Sequence, residues 1–332
     1  MKKAIVTTTI NEPTKAIMRY IEIGARDGWT LFIVGDKKTP HESYLKLAQA
    51  HPHVAYISPE KQASKYGRLS ELIGWNCIQR RNFGFIEAYN WGAEIIATID
   101  DDNIPYDNWG QLLAVGDEPL VAVHQSQDLV FDPFQATNAR ELWHRGFPIQ
   151  LLNRRSRATY IGHLKRPRCL VQADFWDGEP DVDAVCRIAK GPFDCQFTHE
   201  RFAGTAPGPF NSQNTFLHRD VFPTYFMFPH VGRMDDIWAS YVVQKRFPDS
   251  VVYGSASVYQ ERNDHDLSKD LEAEMLGNRH TLDFVRRLFD PNSDHDEGSY
   301  PDYLPDTAIA AHQEYMKHFK LSTGNAQDGG EG

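Results

Sequence analysis

An apolar run that ends in three consecutive acids sets the tightest constraint on this chain. Residues 95–99, Ile95-Ile96-Ala97-Thr98-Ile99, are β-branched or small, which suits a buried strand. Asp100-Asp101-Asp102 follow at once, and Asn103-Ile104-Pro105 stop the strand. Carboxylates stacked at a strand end repel one another unless a cation or a donor network compensates them. A solvated acidic turn also fits the letters. Behind a buried strand, the sharper expectation is a hard divalent ion held by oxygen ligands together with a substrate's phosphates.

The preceding sequence sets the context of that strand. Residues 4–10, 30–35 and 54–57 read as strands, separated by helices near 13–25 and 40–50, with Pro40 suited to the first turn of the second helix. Strands alternating with helices predict a mostly parallel sheet covered on both faces. Ligands of such sheets lie beyond the carboxyl ends of the strands, where Asp36 and the acidic triplet fall. Residues 58–74 read as a polar loop. Residues 74–89 return to helical spacing through Trp75, Ile78, Asn82, Phe85, Ile86 and Tyr89. Arg80 and Arg81 lie on this helix; either one belongs to a solvated face, or it reaches a diphosphate.

Residues 110–230 are irregular and rich in Pro, Gly and aromatics, with no linker, so loops and short strands are expected there. A helix over 235–247, a strand over 250–259 and a long amphipathic helix over 266–289 complete the pattern. The expected organisation is one domain over 1–290 in two halves (1–110 and 111–290). A C-terminal extension (291–321) and a Gly- and acid-rich disordered tail (322–332) follow.

Composition narrows the partners. The formal charge of −10 argues against a phosphate-backbone-binding face, although a local basic groove could still serve a nucleic acid. No run approaches the roughly 18 apolar residues of a membrane span. The N-terminal apolar stretch is broken by Thr7–Thr9 and reads as a strand, not a secretion signal. Cys77, Cys169, Cys186 and Cys195 show no metal spacing, so reduced thiols in a cytoplasmic protein are expected. Gly-x-Gly-x-x-Gly, Walker and Gly-x-Ser-x-Gly motifs are absent.

Four further stretches carry candidate chemistry. Asp181 and Asp183, in Pro180-Asp181-Val182-Asp183-Ala184, either cap a helix or touch substrate. Asp235 and Asp236, after Gly232-Arg233-Met234, open an apolar helix; they are N-cap acids or a base for a sugar hydroxyl. His265 follows a strand end, as an ordinary polar residue on the surface or as a metal ligand. Arg145-Gly146-Phe147-Pro148 sets a cation beside a rigid turn.

Taken together, these motifs resemble a known family. Gly74-Trp75-Asn76-Cys77-Ile78-Gln79-Arg80-Arg81-Asn82-Phe83-Gly84 followed by Ile99-Asp100-Asp101-Asp102-Asn103 looks like the STELLO proteins of plants. Their glycosyltransferase-like domain is related to the reversibly glycosylated polypeptides, the UDP-arabinopyranose mutases. The stretches at 145–148, 180–184 and 232–238 look like the wider group, in the same order, over roughly residues 74–266. The resemblance implies an α/β fold of the glycosyltransferase-A type, Rossmann-like in its first half, with an acceptor-side extension; residues 1–110 would be the nucleotide-binding half and 111–290 the acceptor half. It also implies a nucleotide-sugar donor, most often a UDP-sugar, and Mn²⁺ or Mg²⁺ on its diphosphate. Under it Asp102, Asp100 and His265 would serve the metal. Asp100, Asp101, Asn76, Arg80, Arg81, Asp181 and Asp183 would surround the donor, and Asp236 or Asp235 would be the base.

Three functions compete under that resemblance. The first is metal-dependent transfer of a sugar to a hydroxyl acceptor of unknown identity. A second is a pyranose–furanose mutase in which Arg145 is transiently glycosylated. Against it, Phe147 stands in place of the mutases' Tyr, and Leu152 in place of a second arginine, though Arg154 and Arg155 are close by. A third is a non-catalytic scaffold that binds nucleotide-sugar.

Overall fold

The computed structural model describes residues 1–157, 159–261, 266–289 and 300–319. Its first half alternates as expected: β1 (Lys3–Thr9), α1 (Lys15–Asp27), β2 (Trp29–Gly35), α2 (His41–Ala50), β3 (Val54–Ile57), α3 (Pro59–Ile73), α4 (Arg81–Trp91), β4 (Ile95–Ile99) and the short β5 (Asn103–Pro105). Local sequence explains most of these limits. Thr14 accepts a hydrogen bond from the Ile17 amide to open α1, whose Ala16, Ile17, Tyr20, Ile21 and Ile23 form the buried stripe. Gly28 closes α1 at φ 74°, a conformation that favours glycine.

Two expectations need correction. Residues 58–74 are not a loop: Ser58 caps the Lys61 amide, Pro59 takes the first turn, and α3 buries Gln62, Tyr66, Leu69, Leu72 and Ile73. Its Lys, Glu and Arg residues and Ser64 face outward and hide that stripe in the sequence. The helix expected over 74–89 begins only at Arg81, after a 3₁₀ turn over Ile78–Arg80. Residues 74–77 are an irregular connection with Asn76 at φ 58°.

The second half contributes β6 (Val121–Gln125), β7 (Thr159–Lys165), β8 (Val171–Gly178), α5 (Ala184–Lys190), β9 (Phe202–Gly204), β10 (Asn214–His218), α6 (Asp235–Arg246), β11 (Val251–Gln260), α7 (Leu267–Phe289) and α8 (Asp306–Met316). All strands join one sheet in the order β3-β2-β1-β4-β10-β8-β11-β9-β6-β7, with β5 on β11. The block β3-β2-β1-β4 is parallel, in registers Leu31↔Val54, Lys3↔Trp29 and Lys3↔Ile95. Every residue of β4 is buried, as its composition predicts. This is an α/β layout, with a parallel Rossmann-like half continued by a mixed half.

Strand polarity then decides where chemistry can gather. β10 is antiparallel to β4, with Asn214 opposite Ile99, so the residues before β10 arrive beside the acidic triplet. β8 reverses again, and β11 runs parallel to β8. The ends of β4, β8 and β11 and the beginning of β10 therefore share one sheet edge. α6 leads back to the start of β11, so its first turn lies at that edge too. α8, in the expected extension, packs on α3. Residues 322–332 and His265 lie outside the described residues. Among the described residues no helix is long and apolar enough to cross a membrane.

Candidate active site

The three aspartates of the triplet are placed differently. Arg81, almost fully buried on α4, donates from Nη2 to Asp100 Oδ1 at 2.6 Å. The same guanidinium donates from Nη1 to the Ser212 carbonyl (2.9 Å) and Oγ (3.0 Å). Burial pushes the Asp100 carboxyl above its ordinary range against the pull of Arg81. Asp101 turns back to the end of β1, accepting from Thr9 Oγ1 and, at 3.1 Å, from Asn11 Nδ2. Asp102 lines the cleft, and its carbonyl accepts from the Glu261 amide.

Two hollows meet at the triplet. One, of about 260 Å³, is lined by Thr8–Asn11, Asp36, Asn76, Cys77 and Arg81 together with the three acids. Asp36 is itself pinned there, accepting from the Cys77 amide at 3.0 Å. The other, of about 230 Å³, is lined by Arg145, Ser212, Gln213, Arg233, Asp235, Asp236 and Gln260. Ile78, Asp100 and Asp102 belong to both. The result is one continuous cleft with carboxylates at its waist.

Across the waist stands a buried ion network. Arg145 Nε donates to both oxygens of Asp181 at 2.9 Å. Its Nη1 and Nη2 donate to Asp236 Oδ1 (3.0 Å) and Oδ2 (3.1 Å), and Nη1 also reaches the Arg233 carbonyl. Burial opposes the guanidinium charge, but Asp181 and Asp236 outweigh it and hold Arg145 well above its ordinary value. Asp236 Oδ2 accepts further from the Ser212 amide (2.9 Å) and hydroxyl (3.1 Å). Asp235 is held differently: Gln79 Nε2 donates to its Oδ2 at 2.9 Å. Burial, and then the charge of Asp236, push the Asp235 carboxyl up to about 7. Neither acid caps α6 with its side chain; both face the cleft.

The remaining sequence candidates fall into place around this network. Arg80 faces inward, away from the cleft, donating to Gln62 Oε1, Ser70 and the Gly74 carbonyl between the rings of Trp75 and Phe83. Asp183 caps α5 through the Cys186 amide (2.7 Å) and accepts from Trp143 Nε1 (2.7 Å), the capping alternative of the sequence. Asp181 is fully buried against Arg145 and Asn211. Asn76 is exposed at the rim of the first hollow. Ser212, Gln213, Gln79 and Gln260 are site residues that the sequence reading missed. A signal existed for two of them: Asn211-Ser212-Gln213-Asn214 is an uninterrupted polar run, yet all four are buried. Buried polar runs of that kind usually hold something in position.

Oxygen-rich carboxylates at the waist, Asp100 and Asp102, suit a hard divalent ion that takes its other ligands from a diphosphate. Among the described residues no three His, Cys, Asp or Glu side chains form a ready-made cage.

No protein-family model matches the chain. It is similar to two probable glycosyltransferases of Arabidopsis thaliana, STELLO2 (25% identical over 241 residues) and STELLO1 (24% over 241). Each alignment covers 67% of this chain and 30% of the relative, so the chain spans under a third of the length of the curated relatives it matches. Among solved structures it is similar to Mycobacterium tuberculosis glucosyl-3-phosphoglycerate synthase with Mn²⁺, UDP-glucose and phosphoglyceric acid. There the TM-score is 0.44 and the identity 12%, over 86% of this chain and 79% of that one. A Pyrobaculum calidifontis mannosyltransferase with GDP-mannose and Mn²⁺ has a TM-score of 0.39 and 12% identity, over 95% and 69%. Across two thirds of its length the chain is similar in sequence to these probable glycosyltransferases, as its motifs suggested.

Proposed function

We propose that the chain is a metal-dependent glycosyltransferase that moves a sugar from a nucleotide-sugar, a UDP-sugar first, to a hydroxyl acceptor. One observation carries this reading: the acidic triplet ends a parallel-sheet strand between two joined hollows, facing a carboxylate pair across the cleft. The hollow at the end of β1 receives the nucleoside, against Asp36, Asn76 and the Thr8–Asn11 segment. Asp100 and Asp102 hold Mn²⁺ or Mg²⁺ on the diphosphate. When bound, such an ion stabilises the charge that develops on the departing nucleotide.

The chain's own residues supply the rest. Arg81 fixes the orientation of Asp100 from the wall of that hollow. Arg145 and Ser212 together give Asp236 four hydrogen bonds, which suits an acid that holds position and charge. Asp235, with its carboxyl near 7 and its place on the cleft wall, is the proton acceptor for the attacking hydroxyl. A general base works best with a pKa close to the working pH. Transient glycosylation of Arg145 finds less support, because each of its guanidinium nitrogens is engaged by a buried partner.

Calorimetric titration of UDP with and without Mn²⁺, on wild type and Asp102→Ala, tests the reading. Metal-dependent binding that the substitution abolishes is expected. No binding of UDP or any other nucleoside diphosphate with either metal would overturn it.

A further inference from the structure

The electrostatics of the acceptor-side hollow identify the class of compound that it accepts. Its walls present Asp100, Asp102, Asp235 and Asp236. Two cations reach it, Arg145 and Arg233, and both are already paired. Arg145 is closed between Asp181 and Asp236. Arg233, 26% exposed at its side chain, pairs with Glu274 at 2.9 Å and Asp270 at 3.3 Å, with Asp181 at 3.9 Å. The third nearby guanidinium, Arg81, is paired with Asp100. Three arginines therefore face seven carboxyl groups. Burial favours the neutral form at Asp100, Asp235 and Glu274, while Asp102, Asp181, Asp236 and Asp270 still outnumber the arginines. Loading a donor does not change that balance: a divalent ion brings two positive charges and the donor's diphosphate brings two negative ones.

The pairing of Arg233 is built into the fold. Asp270 and Glu274 come from α7, which docks directly on the turn that carries Arg233. A Cβ on Gly232, at φ 64°, would run into the Ala273 carbonyl, and one on Gly277 would run into Met234. This close docking sets Asp270 and Glu274 beside Arg233. The same wall offers the amide-bearing side chains of Gln213 and Gln260, and the half-exposed Ile78, as neutral contacts for hydroxyls and the C–H face of a ring.

Resting on the transferase reading above, we propose that the acceptor is an uncharged polyhydroxyl compound, of the class of neutral sugars and their glycosides. Phosphorylated and carboxylated acceptors are excluded by the carboxylates that surround the reacting hydroxyl. α7 is the specificity-determining element, through Asp270 and Glu274, which act on Arg233.

The test uses matched pairs in the full chain with Mn²⁺. Nucleotide-sugars are first screened for binding and slow hydrolysis without acceptor. Nucleotide release is then measured with a pool of methyl glycosides and neutral disaccharides, and separately with sugar 6-phosphates and glucuronate at equal concentration. The neutral pool is expected to stimulate release at least ten-fold more than the anionic pool. Asp270→Asn, alone and with Glu274→Gln, frees Arg233 and should narrow that ratio; the single substitution serves if the double one misfolds. Stimulation by the anionic pool equal to or above the neutral one overturns the proposal, as does no stimulation by the neutral pool in protein that hydrolyses its donor. Failure to bind any nucleotide-sugar, seen before acceptor is added, overturns the transferase reading itself and takes this inference with it.

Discussion

Replacing Arg145 with methionine keeps much of the side chain's volume while removing the charge that joins Asp181 to Asp236. In the native protein both carboxylates are almost fully buried, and the guanidinium meets them at 2.9–3.1 Å. Removing one partner of a buried pair costs about 3–5 kcal/mol, because the other charge is left without compensation. Asp181 accepts from neutral Asn211 and lies 3.9 Å from Arg233, whereas Asp236 keeps its two bonds from Ser212. The upper part of that range is therefore expected at pH 8. Buried carboxylates that have lost a counter-charge bind protons more readily in the folded than in the unfolded chain. Folding then takes up protons, so the variant's deficit grows with rising pH and shrinks with falling pH. Urea unfolding followed by tryptophan fluorescence at pH 5.5 and pH 8 measures it. The combined variant Arg145→Met/Asp181→Asn/Asp236→Asn should recover most of the loss. A deficit under about 1 kcal/mol, or one equal at both pH values, would refute the view that Arg145 is the counter-charge of this network.

Further outcomes follow from named contacts. Asp235→Asn should lower kcat by about 10²–10⁴ while leaving Mn²⁺-dependent UDP affinity within a few-fold, as expected for a lost general base. Wild-type activity should fall as pH drops below about 7, where Asp235 gains its proton; the same raised value makes the folded chain hold more protons than the unfolded one between 3.8 and about 7, so the Asp235 contribution to stability declines as pH rises through that window. Arg80→Ala should cost about 3 kcal/mol of stability with no loss of UDP affinity, because Arg80 serves Gln62, Ser70 and two aromatic rings rather than the cleft; thermal melts paired with UDP titration separate the two effects. Gly232→Ala should destabilise by about 2–4 kcal/mol, since the residue sits at φ 64° and its Cβ would meet the Ala273 carbonyl; an unchanged melting temperature would contradict the tight docking of α7.

Local sequence determined those parts of the protein that depend on residues within a turn or two of each other. The β-branched run 95–99 made a buried strand, the Thr14 cap and the spacing of Ile17, Tyr20 and Ile21 made a helix, and the acids landed at strand and helix ends. α3 escaped because its buried positions include Gln62, so polarity hid the period that burial obeys. The roles of adjacent residues were beyond local reading altogether. Arg80 and Arg81 are chemically identical neighbours, but consecutive helical side chains point about 100° apart. One therefore enters the packing under α3 and the other reaches Asp100. Asp235 and Asp236 diverge for the same reason, toward Gln79 and toward Arg145.

Tertiary structure alone decided the network itself. Asp181, Arg145, Ser212, Asp236 and Glu274 come from five separate segments, and only the antiparallel return of β10 and the docking of α7 bring them to the edge where β4 ends. An ion pair has no periodicity and leaves no mark on the residues next to it. What a chain writes locally is the element and its cap; which charges meet is settled by strand polarity and by the few places, such as Gly232 and Gly277, where one backbone can come close enough to another.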